Sequence, residues 1–301
     1  MSESAVKPDL HYRRFSADDI DAAHGLSVAV RWPHRPEDWR FAVEAGEGFV
    51  AVDNGVVIGT ALCWKFGADR ATLGMVIVSP DQQGRGIGRK LMELVLEALG
   101  ERVTFLHATP AGQPLYEKLG FAACGGLTQH QGTVEQAPAV VLPQSETLRA
   151  VTPADLPTLI DLASRGCGLD RSATLPALLA VAQGGVVLER DGIITGFALA
   201  RRFGRGYAIG PVVAATAGDS GDQDDHARAK ALVSHWLAQH VGDFVRLDVP
   251  GGAGIEAWLP GVGLVPVDSV VKMVRNASAA QHSGEPDAAW RAYGIINQAM
   301  G

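Results

Sequence analysis

Short apolar runs alternate with polar turns along most of the chain, and their period changes from two to near four. Residues 71–78 (ATLGMVIV) end in the β-branched run Val76-Ile77-Val78, which Ser79-Pro80-Asp81 stops. Such a run reads as a buried strand. Beyond it, Ile87, Leu91, Leu94, Val95 and Ala98 recur at helical spacing, and Gly100 ends the helix. Upstream, Ser16 with Asp19 three residues on forms a helix start, and the helix runs through Ala22, Leu26 and Val30. A second short helix fits residues 35–44. Gly48–Val52 and Val56–Trp64 read as two strands joined by the turn Asp53-Asn54-Gly55. Asp69-Arg70 makes the next turn. A strand over 103–108 and a short helix over 113–119, closed by Gly120, follow. An antiparallel start with a strand–helix–strand core predicts an α/β, or mixed α+β, class.

This pattern occurs twice. GFVAVDNGVVIGTALCWKFG, from Gly48, is matched by GVVLERDGIITGFALARRFG, from Gly185, with eight identities in twenty ungapped positions. Gly74-Met75-Val76-Ile77 faces Gly210-Pro211-Val212-Val213, and FSADDIDAAHGL faces VTPADLPTLIDL. Two hairpins share turn glycines by chance, but not the order of every neighbouring element. The expected organisation is a first copy over 10–135, a linker over 136–146, a second copy over 147–275, and a polar stretch with a closing helix over 276–301.

Composition narrows the setting. The 301 residues are 47% hydrophobic with a net charge of −7. No basic face is implied, so neither nucleic acid nor an anionic membrane is an expected partner. Cys63, Cys124 and Cys167 have no metal or disulfide spacing, and no metal is expected. No signal peptide or membrane-length apolar run is present, so the expected location is the cytoplasm, as a monomer or homodimer.

The chemistry concentrates in Gln83-Gly84-Arg85-Gly86-Ile87-Gly88, between strand and helix. Glycines there let backbone N–H groups approach a phosphate at a helix N-terminus. The Gly-Lys-Ser/Thr ending of a nucleoside triphosphate loop is missing, and Gly-x-Gly-x-Gly is not the dinucleotide spacing. The stretch resembles the Gln/Arg-x-x-Gly-x-Gly/Ala signature of the GNAT superfamily of N-acetyltransferases. Leu115-Tyr116-Glu117-Lys118-Leu119-Gly120-Phe121 resembles that superfamily's second conserved stretch. The resemblance covers roughly 10–135 and extends more weakly over the repeat. It implies two tandem GNAT folds, each a mixed, mostly antiparallel sheet flanked by helices.

The resemblance further implies acetyl-CoA, with its pyrophosphate held by Gln83, Gly84, Arg85, Gly86, Ile87, Gly88 and Arg89. The backbone of Val76, Ile77 and Val78 would meet the pantetheine amides on a strand splayed from its neighbour. The N–H of Val76, or of a near neighbour on the strand, is the proposed donor to the developing negative oxygen, and Tyr116 the acid for the departing sulfur. No carboxylate lies in 71–78 where many GNAT enzymes place a base. His107 is then a base, a cofactor or water contact, or a structural residue. Asp69 is a fallback, and the amine can also arrive neutral. Trp32, His34, Trp39 and Trp64 either wall the acceptor site or pack the core.

The second copy lacks the loop. AATAGDSGDQDDHARAK, residues 214–230, places Asp219, Asp222, Asp224 and Asp225 where a pyrophosphate would go, and carboxylates repel it. Its counterpart of the Tyr116 stretch, 257–264, has no tyrosine. The expected function is acetyl transfer to a small-molecule primary amine, by direct attack in a ternary complex, in the first copy. The alternatives are a protein lysine or N-terminal acetyltransferase, and a non-enzymatic acyl-CoA sensor.

Overall fold

A computed structural model describes residues 9–216, 226–277 and 287–301. The chain forms two compact units, 1–65 with 73–100, and 66–72 with 101–301. The fold is mixed α/β, mostly antiparallel and flanked by helices. Among the described residues no helix is long and apolar enough to cross a membrane.

The first unit begins with strand β1 (Leu10–Arg14), helices α1 (Ile20–Ala29) and α2 (Pro36–Glu44), and strands β2 (Glu47–Asp53) and β3 (Val56–Phe66). β4 (Arg70–Val78) and α3 (Ile87–Leu99) complete it, apart from residues 66–72, the turn between β3 and β4 with the start of β4, which belong to the second unit. The Ser16 N–H donates to Asp19 Oδ2 at 2.8 Å, so the expected cap forms. Asn54 and Gly55, at φ 49° and 79°, make the hairpin turn. Strand β1 escapes the sequence pattern because LHYRR pairs with β2 at the sheet edge and buries little. Along α3 the buried stripe is Ile87, Leu91, Met92, Val95, Leu96 and Leu99, with Leu94 and Ala98 on its flank. Gly59 leaves room for Ile87 and Leu91, whose side chains would stand 3.3 and 3.0 Å from a Cβ there.

The second unit holds β5 (Val103–Ala108), α4 (Gln113–Lys118) and β6 (Ala122–Thr133) from the first copy. The second copy follows: β7 (Thr147–Ala150), α5 (Leu156–Cys167), α6 (Thr174–Val181), β8 (Gly184–Arg190), β9 (Ile193–Phe203), β10 (Gly206–Ala215), α7 (Ala227–Gln239), β11 (Phe244–Pro250), β12 (Val265–Arg275) and β13 (Trp290–Gly294). Its main core lies between α7 and strands β8–β11, with Leu188, Ala198, Leu232, Trp236 and Leu247 fully or almost fully buried.

Fine structure repeats along with the sequence. Arg13 grips Asp19 through two 2.7 Å bonds, and Arg149 grips Asp155 at 2.8 and 2.9 Å. Asp191 and Gly192 repeat the turn at φ 51° and 77°. The Phe121 N–H donates to the Tyr116 carbonyl at 3.1 Å, and the Leu264 N–H to the Leu259 carbonyl at 3.0 Å.

The compact units do not follow the repeat, because two strands are exchanged. β6 and β12 occupy matching places in the two copies. β5 pairs with β12, from Thr104↔Arg275 to Ala108↔Val271. β11 pairs with β6, from Phe244↔Thr133 to Pro250↔Leu127. β6 and β12 also pair with each other. Each copy's fifth strand therefore neighbours the sixth strand of the other copy.

The closing helix expected over 288–299 is instead β13, paired antiparallel with β10 from Val212↔Gly294 to Ala215↔Trp290. A glycine in mid-helix costs about 1 kcal/mol. Sheet hydrogen bonds and the burial of Tyr293 outweigh the helix propensity of the alanines.

Candidate active site

In the first unit, the turn Pro80–Gln82 leads into Gly84 and Gly86, at φ 79° and 77°. Both are conformations that L side chains rarely adopt, and open space lies where each Cβ would stand. Gly86 caps α3, whose first turn contains no acid. The first N–H groups of a helix have no intrahelical acceptor and carry its positive dipole end. Arg85 donates to Asp53 Oδ2 at 2.8 Å and to Gln82, and Arg89 donates to Glu93 Oε1 at 3.0 Å. The Arg89–Glu93 pair is solvent-exposed and weak enough to exchange for a phosphate, whereas Arg85 is half-buried and its partner Asp53 largely buried. Gln83 Nε2 donates to the Val78 carbonyl at 3.4 Å, tying the loop to its strand. Within β4, Met75 has φ 52°, and its carbonyl accepts the Thr60 hydroxyl at 2.8 Å. Val76 and Val78 are half-buried and Ile77 is buried.

Trp39 and Trp64 are 0% and 1% exposed, so they pack the core and do not wall a pocket. Trp39 Nε1 donates to Ser27 Oγ and Trp64 Nε1 to the Ala42 carbonyl, each at 3.0 Å. Trp32 and His34 are half-buried, in edge contact at 5.7 Å, and His34 Nδ1 meets Ser27 Oγ at 3.2 Å.

In the second unit, β4 and β5 run parallel over Arg70–Thr72 and Val103–Phe105. His107 lies further along β5. Its Nδ1 stands 2.7 Å from the Gln298 carbonyl, which only accepts, so Nδ1 holds the proton and Nε2 keeps its lone pair. Burial, reinforced by Lys272, lowers its pKa to about 4, against the opposing pull of the Gln298 carbonyl and Asp248. Tyr116 is buried on α4, its ring edge-on to Phe121 at 6.2 Å. Burial pushes its pKa up to about 12, which keeps the phenol protonated. Its hydroxyl has no hydrogen-bond partner among the described residues.

A cavity of about 230 Å³ adjoins His107. Phe105, Lys272 and Thr72 line it from the strands, Cys167 from the end of α5, and Arg291 from β13. The sequence reading missed Lys272, Cys167 and Arg291, because their approach to His107 depends on the strand exchange and on β13.

The second copy differs at the matching strand. Val212 and Val213, counterparts of Val76 and Ile77, are paired with β13. A bulge between Ile209 and Val212 stands where Met75 does in the first copy. Leu259, fully buried in a short turn, replaces Tyr116. Asp219, Asp222, Asp224 and Asp225 lie outside the described residues.

The acetyltransferase (GNAT) family model matches residues 17–121, and an acetyltransferase (GNAT) domain model matches 159–285. The chain belongs to the GNAT superfamily. It carries the GNAT domain twice. A curated relative, an uncharacterized N-acetyltransferase YitH of Bacillus subtilis, is 28% identical over 188 residues, which are 61% of this chain and 65% of the relative. The aligned part thus spans just under two-thirds of that protein. A putative acetyltransferase from Pyrococcus horikoshii shares the fold with a TM-score of 0.76 at 20% identity, over 100% of this chain and 99% of its own. A tandem GNAT protein from the clavulanic acid biosynthesis pathway shares it with a TM-score of 0.62 at 16% identity, over 88% and 98%.

His107 gives this GNAT chain an acid sensitivity. Its folded pKa of about 4 lies below the ordinary 6.5, so the unfolded chain takes up the proton first. The resulting stability is present above pH 6.5 and disappears as the pH falls towards 4. The shift corresponds to a loss on the order of 3 kcal/mol. Urea midpoints at pH 7 and 4.5 should lie closer together in His107→Asn, which keeps a donor for Gln298, than in the parent protein.

Proposed function

We propose that the chain is an acetyl-CoA-dependent N-acetyltransferase that acetylates the primary amine of a small molecule, with its chemistry in the first copy, residues 10–135. The observation that carries this reading is the glycine loop: two positive-φ glycines opening onto a helix N-terminus that has no acid in its first turn. These features fit a pyrophosphate, with Gln83, Gly84, Arg85, Gly86, Ile87, Gly88 and Arg89 as its holders. The backbone of Val76, Ile77 and Val78 is assigned to the amides of the cofactor's arm. Bound acetyl-CoA supplies an acetyl group activated as a thioester.

His107 Nε2 takes a proton at the acceptor nitrogen, directly or through water. Tyr116 holds a proton for the sulfur, a role its raised pKa supports. Direct attack agrees with the lack of a cysteine in either cofactor motif. A cavity of about 230 Å³ favours a small molecule over a peptide.

The test is thiol release from acetyl-CoA over panels of small amines and lysine peptides. Turnover of small amines is expected. Turnover of peptides alone would overturn the substrate class, and no release with any amine would overturn the enzymatic reading. Residues 147–275 are assigned a non-catalytic role, since β13 already pairs with the strand that would meet a second cofactor. Calorimetry should therefore count one acetyl-CoA per chain, and a count of two would refute the assignment.

A further inference from the structure

The cavity beside His107 is unbalanced in charge. Lys272 pairs in register with His107 on the neighbouring strand, and its ammonium lies 5.1 Å from the centre of the Phe105 ring. Arg291 reaches the cavity from β13, and its Nη1 donates only to the Ala253 carbonyl, at 3.4 Å. Neither cation has a carboxylate partner among the described residues. Among the described residues no Asp or Glu side chain lines the cavity. The nearby acids are engaged elsewhere. Asp248 is held by Arg246 at 2.8 and 2.9 Å, Glu256 accepts the Ala253 and Gly254 N–H groups, and Asp287 pairs with Arg165. Arg171 holds the backbone oxygens of Met300 and Gly301 at 3.0 and 2.6 Å. The rest of the lining is mostly apolar: Phe105, Leu127, Leu169 and Ile295.

Two half-buried cations in an apolar hollow repel a plain ammonium ion and attract an anion. The space, about 230 Å³, suits a molecule the size of an amino acid. We propose that this cavity receives the acceptor and selects amines that also bear a carboxylate, with Lys272 and Arg291 holding the carboxylate and the apolar wall holding the remainder. The proposal rests on the acetyltransferase reading for its turnover test, but not for its binding test. Lys272 and Arg291 are binding residues here, and His107 acts on the amine end of the same molecule.

The experiment compares matched pairs that differ only by the carboxylate: L-alanine with ethylamine, L-leucine with isopentylamine, and L-phenylalanine with 2-phenylethylamine. In the thiol-release assay the carboxylated member of at least one pair should show a kcat/KM ten-fold or more higher, with the difference in KM. Lys272→Met and Arg291→Met should each bring that ratio towards one, and Lys272→Arg should keep it. A wild-type ratio of one or less in every pair that turns over overturns the proposal and leaves the enzymatic reading standing.

Calorimetry without acetyl-CoA separates the two ideas. If no amine turns over, tighter binding of a carboxylated member that Lys272→Met removes upholds the site while the enzymatic reading fails. Equal binding within every pair, or no binding by any member, overturns the site.

Discussion

Residues 1–146 expressed without the rest of the chain are expected to show no cooperative unfolding transition. The reason is the strand exchange. Without residues 147–301, β5 loses its Thr104–Ala108 ladder to β12, and β6 loses its partners on both sides. Leu106, Ala108 and Leu127, each at most 2% exposed in the whole chain, would then face water or a foreign edge. Full burial of one large aliphatic side chain contributes about 1.5–3 kcal/mol. A few such losses, with two open strand edges, match the whole 5–15 kcal/mol stability of a typical domain. Urea titration followed by circular dichroism should give a sloping line. Adding residues 147–301 in trans should restore a sigmoid. A sigmoidal transition for 1–146 alone would show that the exchanged strands are dispensable.

Tyr116→Phe is expected to lower kcat about 100-fold, the lower range for loss of a general acid, with little change in stability. The substitution keeps the ring against Phe121 and close to Gly112, where a Cβ would meet it at 2.9 Å. Only the hydroxyl is lost, and it has no internal hydrogen bond to forfeit among the described residues. Burial keeps the phenol protonated up to about pH 12, so the parent enzyme should not lose the acid across the assay range. Acetyl-CoA KM should stay near the parent value, since the cofactor contacts are assigned to other residues. Steady-state rates from pH 6 to 9, with thermal melting as the stability control, test this. A kcat equal to that of the parent at every pH would remove Tyr116 from the chemistry.

Local signals were legible in the sequence. Ser16 with Asp19, Asn54-Gly55 and the glycine loop each act within a few residues, and each appears where its chemistry predicts. The duplication was legible for the same reason, because caps and turns repeat as residues. The β12–β5 partnership was not legible, since strand pairing leaves no mark on either strand alone when both are apolar. β13 was misread because Ala288-Ala289-Trp290-Arg291-Ala292 favours a helix locally, while the β10 edge that captures it is distant in sequence. The choice between acceptor wall and core packing stayed open in the sequence for a related reason. A tryptophan's type does not reveal that Trp39 and Trp64 are enclosed on every side, nor does a lone Lys272 reveal its place beside His107.

The exchange also sets a timetable for synthesis. β5 ends at Ala108, and the strand that completes it begins only at Val265. At roughly 5–20 residues per second, the ribosome takes on the order of 10–30 seconds to cover that interval. During that time the nascent chain holds β5 and β6 without their final neighbours, and a premature β5–β6 pairing is open to it. Such a pairing would have to come apart before β12 could enter. Synonymous codons that slow translation between the two copies should therefore lower the soluble yield of a protein whose finished stability is unchanged.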